Sequence, residues 1–335
     1  MPNRRDVLKG AGALWMGGMA GLTLPNLTSA ATRDILYQIS WFLTEASIGE
    51  VVAVKKGYFA ERGLNPTIVP GGPSVNAIQD VLGGQAEVCI GYAPQIMYAA
   101  NKRLPIKCVA AIFQKAPLTF YSFADKNIKS IKDWKGMRVG ANASGLPQLK
   151  AILAHHGLSI DDITFVQARV PGLLQDQVDV VGAWPTNIAQ IQSIVDHAGG
   201  YNAQSIWDNG LQFQSNYVIA LQETIENDTE MLVNLVEAID AGWLYAADNR
   251  DEALDILISE VPALDRELAA QSVQLMFDSY IYTDETLEHG FGNVSADRWT
   301  QTLDTYKQLG EIRSDLTAED VFDDRVLKAA KRTNR

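Results

Sequence analysis

Four short stretches of this 335-residue chain place glycine or proline beside an amide, hydroxyl or aromatic side chain. They are Gly71-Gly72-Pro73-Ser74 with Asn76, Gly91-Tyr92-Ala93-Pro94, Asn142-Ala143-Ser144-Gly145-Leu146-Pro147-Gln148, and Gly182-Ala183-Trp184-Pro185-Thr186-Asn187. Each follows a short apolar run and opens a helical pattern, as at a strand end, a tight turn and a helix start. Backbone at Gly72 and Gly145 can approach a ligand closely, and Ser74 can cap the helix that follows it. Helix starts also offer unpaired N–H groups. Asn76, Ser144, Gln148 and Asn187 give and accept neutral hydrogen bonds. Trp41, Tyr92 and Trp184 stand at the same edges, where parallel faces in a closed cleft would stack on a flat ring. Core packing is the competing fate of a large aromatic. It is the reading for Tyr58, Trp207 and Trp243, and it stands level with stacking for Trp41 and Trp184. Trp184 is the stronger of that pair, because a residue ending a strand before Pro185 projects over the sheet edge. Charges are sparse. Glu45 can accept from a ring amine and Arg169 can pair with an anion, although each also reads as a solvated surface charge. These residue types hold a small polar molecule.

Signals for catalysis are poor. His155 and His156 are adjacent, so they cannot share a helix face, and beside Gly157 they fit a helix C-terminus. His197 and His289 stand alone in the sequence. It contains no Gly-x-Ser-x-Gly elbow, phosphate-binding loop, Cys-x-x-Cys pair or His-Glu-x-x-His motif. The expectation is a protein that is not an enzyme and needs no cofactor or metal. Cys89 and Cys108 each lie in a strand-like apolar run, as buried thiols or as a disulfide between neighbouring strands.

The elements that must position these residues alternate. Strands are predicted over 35–39, 67–69, 88–90, 106–112, 119–123, 138–141, 164–167 and 178–182. Helical patterns lie between them, which implies parallel sheets covered on both faces. Gly57 and Gly63 suit left-handed positions that end helices. Beyond Asn216-Tyr217-Val218-Ile219-Ala220 the pattern is helical, over 231–247, 251–259, 266–276 and 296–309. Two crossings, near Phe120-Tyr121-Ser122-Phe123 and near Ser215-Asn216-Tyr217, would make a hinged two-lobe α/β protein. Residues 32–121 plus 217–335 form lobe one in this division, and 122–216 lobe two.

Residues 1–30 form a separate segment. Arg4-Arg5 precede a mildly apolar run from Ala11 to Leu24 and a small-residue end, Thr28-Ser29-Ala30. That is the pattern of an export signal of the twin-arginine type. The run is shorter than the ~20 residues needed to span a bilayer, and no later segment reaches that length, so no stable membrane insertion is expected. A net charge of -12 argues against nucleic acid as a partner.

An ordered set of residues carries a resemblance: Trp41, Gly49, Lys56-Gly57-Tyr58-Phe59, Gly63-Leu64, Gly71-Gly72-Pro73 with Asn76, and Gly84-Gln85-Ala86-Glu87. It continues through Trp134-Lys135-Gly136, Val139-Gly140 and Gly157-Leu158. Up to about Tyr217 the chain resembles the periplasmic solute-binding proteins of ABC importers, in the group that takes nitrate, sulfonates, thiamine-pyrimidine precursors and riboflavin. The resemblance implies a periplasmic-binding-protein fold (type II), with the helical C-terminal part packed on lobe one. It also implies a monomer in the periplasm that carries a small molecule to a permease and ATPase. Gly71-Gly72-Pro73 with Asn76, and Phe113-Gln114-Lys115, are closer to the pyrimidine and riboflavin branch. Leu43-Thr44 and Ser47, however, stand where that branch carries Pro-Asn and His. A flat heterocycle is therefore the expected ligand; a small organic anion such as a sulfonate, or nitrate, is the alternative. An exported enzyme on the same scaffold is the more distant reading. The ligand site implied is Trp41, Glu45, Gly72, Asn76, Tyr92, Ser144, Gly145, Gln148, Trp184 and Asn187.

Overall fold

The structure, a computed structural model, describes residues 32–72 and 75–335. The expected export signal and the Ser74 cap lie outside the described residues. The described chain forms one compact unit built on two five-stranded sheets.

The first sheet contains β1 (Arg33–Gln38), β2 (Leu64–Val69), β3 (Val88–Gly91), β4 (Ile106–Phe113) and, late in the chain, β10 (Ser215–Leu221). Its order is β2-β1-β3-β10-β4. The second contains β5 (Thr119–Phe123), β6 (Arg138–Ala141), β7 (Thr164–Gln167), β8 (Val180–Ala183) and β9 (Tyr201–Ser205), in the order β7-β6-β8-β5-β9. The sheets are mixed rather than parallel: β10 runs antiparallel to β3 and β4, and β5 runs antiparallel to β8 and β9. Those two strands enter from the other sheet, so they arrive from the opposite end. Strand β9 was missed because Tyr201-Asn202-Ala203-Gln204-Ser205 has no apolar alternation; four of the five residues are polar or aromatic with a hydroxyl. Strands β5 and β10 each pair along their whole length within one sheet. A division after residue 121 would therefore cut β5, and one at 217 would cut β10. The chain leaves the first sheet between Phe113 and Thr119 and returns between Ser205 and Ser215.

Both cysteines are free and buried. Ile219 on β10 is the pairing partner of Cys89 on one side and Cys108 on the other. Two strand spacings, about 9.6 Å, thus separate them, too far for a disulfide.

Helices α1 (Ile48–Lys55), α2 (Ala77–Leu82) and α3 (Ala93–Asn101) follow first-sheet strands. Helices α4 (Leu146–His155), α5 (Val170–Leu174) and α6 (Ile188–Ala198) follow second-sheet strands. Gly63 closes a helical turn in the left-handed region at φ +72°, as its lack of Cβ allows. After β10 come α7 (Gln222–Asn227), α8 (Thr229–Asp248), α9 (Arg250–Glu260), α10 (Arg266–Met276), α11 (Asp284–His289), α12 (Ala296–Gln308), α13 (Ala318–Val321) and α14 (Arg325–Ala329). Most of this region packs on the first sheet and its helices, with α8 against α1 and α13 and α14 against β4. Helices α10 and α12 also reach across to α6 and α4.

Candidate functional site

The loops leaving β1 and β2 are tied together at their glycines. Gly71 donates to the Trp41 carbonyl (2.8 Å) and Gly72 to that of Ser40 (3.3 Å). A Cβ on Gly71 would lie 2.2 Å from the Ile39 carbonyl oxygen, so no other residue permits this approach. The next turn holds Tyr92, whose N–H donates to the Gln95 side chain (2.9 Å) and so anchors the start of α3. In the second sheet, Asn142 accepts from the Gly145 N–H (2.7 Å) and the Ser144 hydroxyl (3.0 Å), shaping the turn that starts α4. Strand β8 ends directly before Trp184-Pro185. Helix α2 is capped by Asn76, whose side chain accepts from Gln79 N–H (3.4 Å).

These turns surround two adjoining cavities between the sheets. The inner one, about 420 Å³, is lined by Trp41, Glu45, Tyr92, Ser144, Gly145, Gln148, Trp184 and Asn187. Gly72 and Asn76 line only the outer one, of about 770 Å³. Trp41, Tyr92 and Ser144 border both. So does Arg169, the residue before α5, which faces the cleft rather than bulk solvent alone.

Sequence reasoning missed Ser40, Glu50, Asn216 and Ser272, which also border the inner cavity, as do Asn142 and Thr186 of the turns already singled out. Asn216 adopts φ +51°, a left-handed conformation that asparagine tolerates better than most residues. Glu50 had one legible signal, a charge inside the otherwise apolar run Ile48–Val54. Ser272 had none, since α10 is remote in sequence from every strand-end turn.

The aromatic geometry differs from parallel stacking. Trp184 meets Tyr92 edge-on (centroids 6.0 Å, 79° between planes) and Phe113 at a tilt (5.9 Å, 52°). Trp41 is edge-on to Phe42 at 5.3 Å. Trp184 is half-buried, so part of its ring remains open to the cavity. Trp243 is fully buried, whereas Trp207 is only half-buried and lies under the Arg298 guanidinium at 4.6 Å. Its environment is a cation–π contact at the surface, not the core expected from sequence. Tyr58 packs edge-on against Tyr245 behind α1.

Two carboxyl groups border the inner cavity. Burial raises Glu45 above the ordinary carboxylate range. Burial likewise raises Glu50, to about 7, offset in part by backbone and side-chain donors that include Tyr37. The site thus combines aromatic edges, amides and hydroxyls with two reluctant acids and one arginine. It is suited to orienting a polar ring.

Two α/β lobes, each with its sheet edge turned to a shared cleft, constitute the two-lobe periplasmic-binding-protein fold of type II. The solved structure of the alkanesulfonate-binding protein SsuA from Xanthomonas axonopodis pv. citri, bound to MOPS, superposes with a TM-score of 0.66 at 14% identity. That match covers 88% of this chain and 99% of the other. The desulfurization enzyme DSZB has the same fold, at TM-score 0.58 and 13% identity, over 88% of this chain and 98% of its own. Residues 45–253 match the NMT1/THI5-like family, and the chain belongs to it. Among curated relatives, a formylaminopyrimidine-binding protein of Halalkalibacterium halodurans is 23% identical over 87% of this chain and 90% of its own. The riboflavin-binding protein RibY of Chloroflexus aurantiacus is 22% identical, over 81% and 79% respectively.

Proposed function

We propose that this protein is an extracytoplasmic solute-binding protein that delivers a flat heterocycle, of the thiamine-pyrimidine or riboflavin kind, to an ABC importer. One observation carries the reading: a ring-sized cavity between the lobes, lined by tryptophan, tyrosine, amides and hydroxyls from the turns that follow β1, β3, β6 and β8. The relatives that bind a formylaminopyrimidine and riboflavin support it. The protein acts as a monomer in the periplasm, reached through a twin-arginine signal in residues 1–30, and hands its cargo to a permease and ATPase. Lobe one comprises the chain up to the first crossing together with the C-terminal helices, and lobe two the segment between the crossings. Trp41 and Trp184 contact the ring, and Ser144, Gln148 and Asn187 hold its edges, with Glu45, Tyr92 and Gly145 completing the inner site, while Asn76 and Gly72 meet whatever part of the ligand extends into the outer cavity. The chain binds its cargo without transforming it.

A small organic anion is the second reading, favoured by Arg169 on both cavities and by the sulfonate-binding neighbour. Mass spectrometry of the small molecule that copurifies separates the two. Calorimetry with that molecule then ranks the contacts. For a heterocycle, Trp184→Ala costs about 2 kcal/mol or more, roughly a thirtyfold loss of affinity, and Arg169→Ala costs little. For an anion the order reverses. Wild-type affinity in both variants would mean the ligand lies elsewhere. Recovery of a chemically altered molecule after incubation would replace the binding role with an enzymatic one.

A further inference from the structure

We propose that Lys150 and Glu311 form a salt-sensitive latch between the lobes, which adds closed molecules to the ligand-free protein. The inference rests on the two-lobe fold and holds whichever molecule the cleft carries. Lys150 lies on α4, one turn beyond Pro147, which borders the outer cavity. Glu311 follows α12, in a turn fixed to lobe one. Its N–H donates to the Tyr306 carbonyl (3.1 Å). Two residues later the Arg313 N–H donates to the Asn101 side chain at the end of α3 (2.8 Å). The Lys150 ammonium donates to Glu311 Oε1 at 2.6 Å, and the Tyr98 hydroxyl of α3 donates to Oε2. Tyr98 is itself braced edge-on against buried Tyr306 (centroids 6.4 Å, 86° between planes). One carboxylate thus holds a donor from each lobe.

Among the described residues, every other ion pair joins two groups of the same lobe. The inter-lobe contact at the inner cavity is uncharged, the Ser272 hydroxyl donating to the Thr186 carbonyl. Tyr98 borders the outer cavity, so the ion pair closes the cleft at that end. Opening does not strand its charges. Glu311 keeps Tyr98, and Lys150, already 34% exposed in the pair, passes to water. Such a contact releases easily, and it moves the equilibrium between lobes by only a small factor. It is also screened, since the Debye length falls from about 30 Å at 0.01 M salt to about 3 Å at 1 M. Ionic strength should therefore open the lobes at this contact, whereas the Ser272 contact is indifferent to it. A ligand bound between the lobes completes the shift that the latch begins.

Small-angle scattering of the dialysed, ligand-free protein at about 0.01 M and about 1 M NaCl, extrapolated to zero protein concentration, tests the latch. The chains compared are the wild type, Lys150→Met, and the exchanged pair Lys150→Glu with Glu311→Lys. Thermal melting verifies that each is folded. The wild type should expand with salt, its closed-to-open ratio falling by up to about fivefold. Lys150→Met, which keeps a long side chain without its charge, should show the expanded radius at low salt and no response to salt. The exchanged pair should restore both the smaller radius and the response. A wild-type radius and salt response in Lys150→Met overturns the inference, and so does a wild-type radius that salt leaves unchanged. Should the exchanged pair fail to fold, Lys150→Met decides alone, because it replaces one partly exposed side chain on α4.

Discussion

Glu50 is the residue whose position has the sharpest energetic consequence. Its carboxyl ionises near 7 in the folded protein against an ordinary 4.5, because burial penalises the charged form. The unfolded chain therefore gives up this proton first as pH rises. Glu50's contribution to stability is fully present below pH 4.5 and is lost as pH rises through 7. Glu50→Gln removes that loss. Its melting temperature relative to wild type should climb between about pH 4 and about pH 7 and level off above, the gain reaching at most about 3 kcal/mol. Scanning calorimetry across that range checks it, and a pH-independent difference would mean that Glu50 ionises normally. Trp184 poses the complementary case. Its place before Pro185 is legible in sequence, but its edge-on contact with Tyr92 of the other lobe is not.

At the level of elements, the cleft depends on α1 being held against α8. The two helices meet where both carry glycine. A Cβ on Gly49 would lie 2.2 Å from Cγ of Trp243, and one on Gly242 would lie 2.1 Å from the Gly49 carbonyl oxygen. Trp243 is fully buried and packs edge-on against Phe113 and Phe277. Gly49→Ala should therefore destabilise the protein by about 2 kcal/mol or more, as overpacking does. Chemical denaturation measures it. An unchanged midpoint would show that α1 can shift, which would also move Glu45 and Glu50 relative to the cavity. Helix α1 was legible as an apolar run stopped at Gly57; its partner, nearly two hundred residues later, was not.

For the whole molecule, the two lobes are joined by two crossings and also touch across the cleft. Lys150 of α4 pairs with Glu311 beyond α12 (2.6 Å), and the Ser272 hydroxyl of α10 donates to the Thr186 carbonyl. Trp184 adds an apolar contact with Tyr92 and Phe113. A ligand bound between the lobes favours the closed form by its differential affinity for that form. Small-angle scattering with saturating copurified ligand should show a smaller radius of gyration than the ligand-free protein. An unchanged radius would argue that the lobes do not open in solution.

Local composition determined the order of strands and helices, because glycine, proline and apolar periodicity act over a few residues. Thr119–Phe123, Arg138–Ala141, Thr164–Gln167 and Arg266–Met276 have the bounds expected from sequence. It also identified the strand-end turns, since each needs a small residue and a helix start in one short stretch. Tertiary structure alone decided which strands pair. The antiparallel entry of β5 and β10, and the seat of Ile219 between the two cysteines, follow from a chain that crosses twice between sheets. Only the assembled fold brings Glu50, Asn216 and Ser272 to one cavity, because they lie on segments whose approach is fixed by packing rather than by sequence distance.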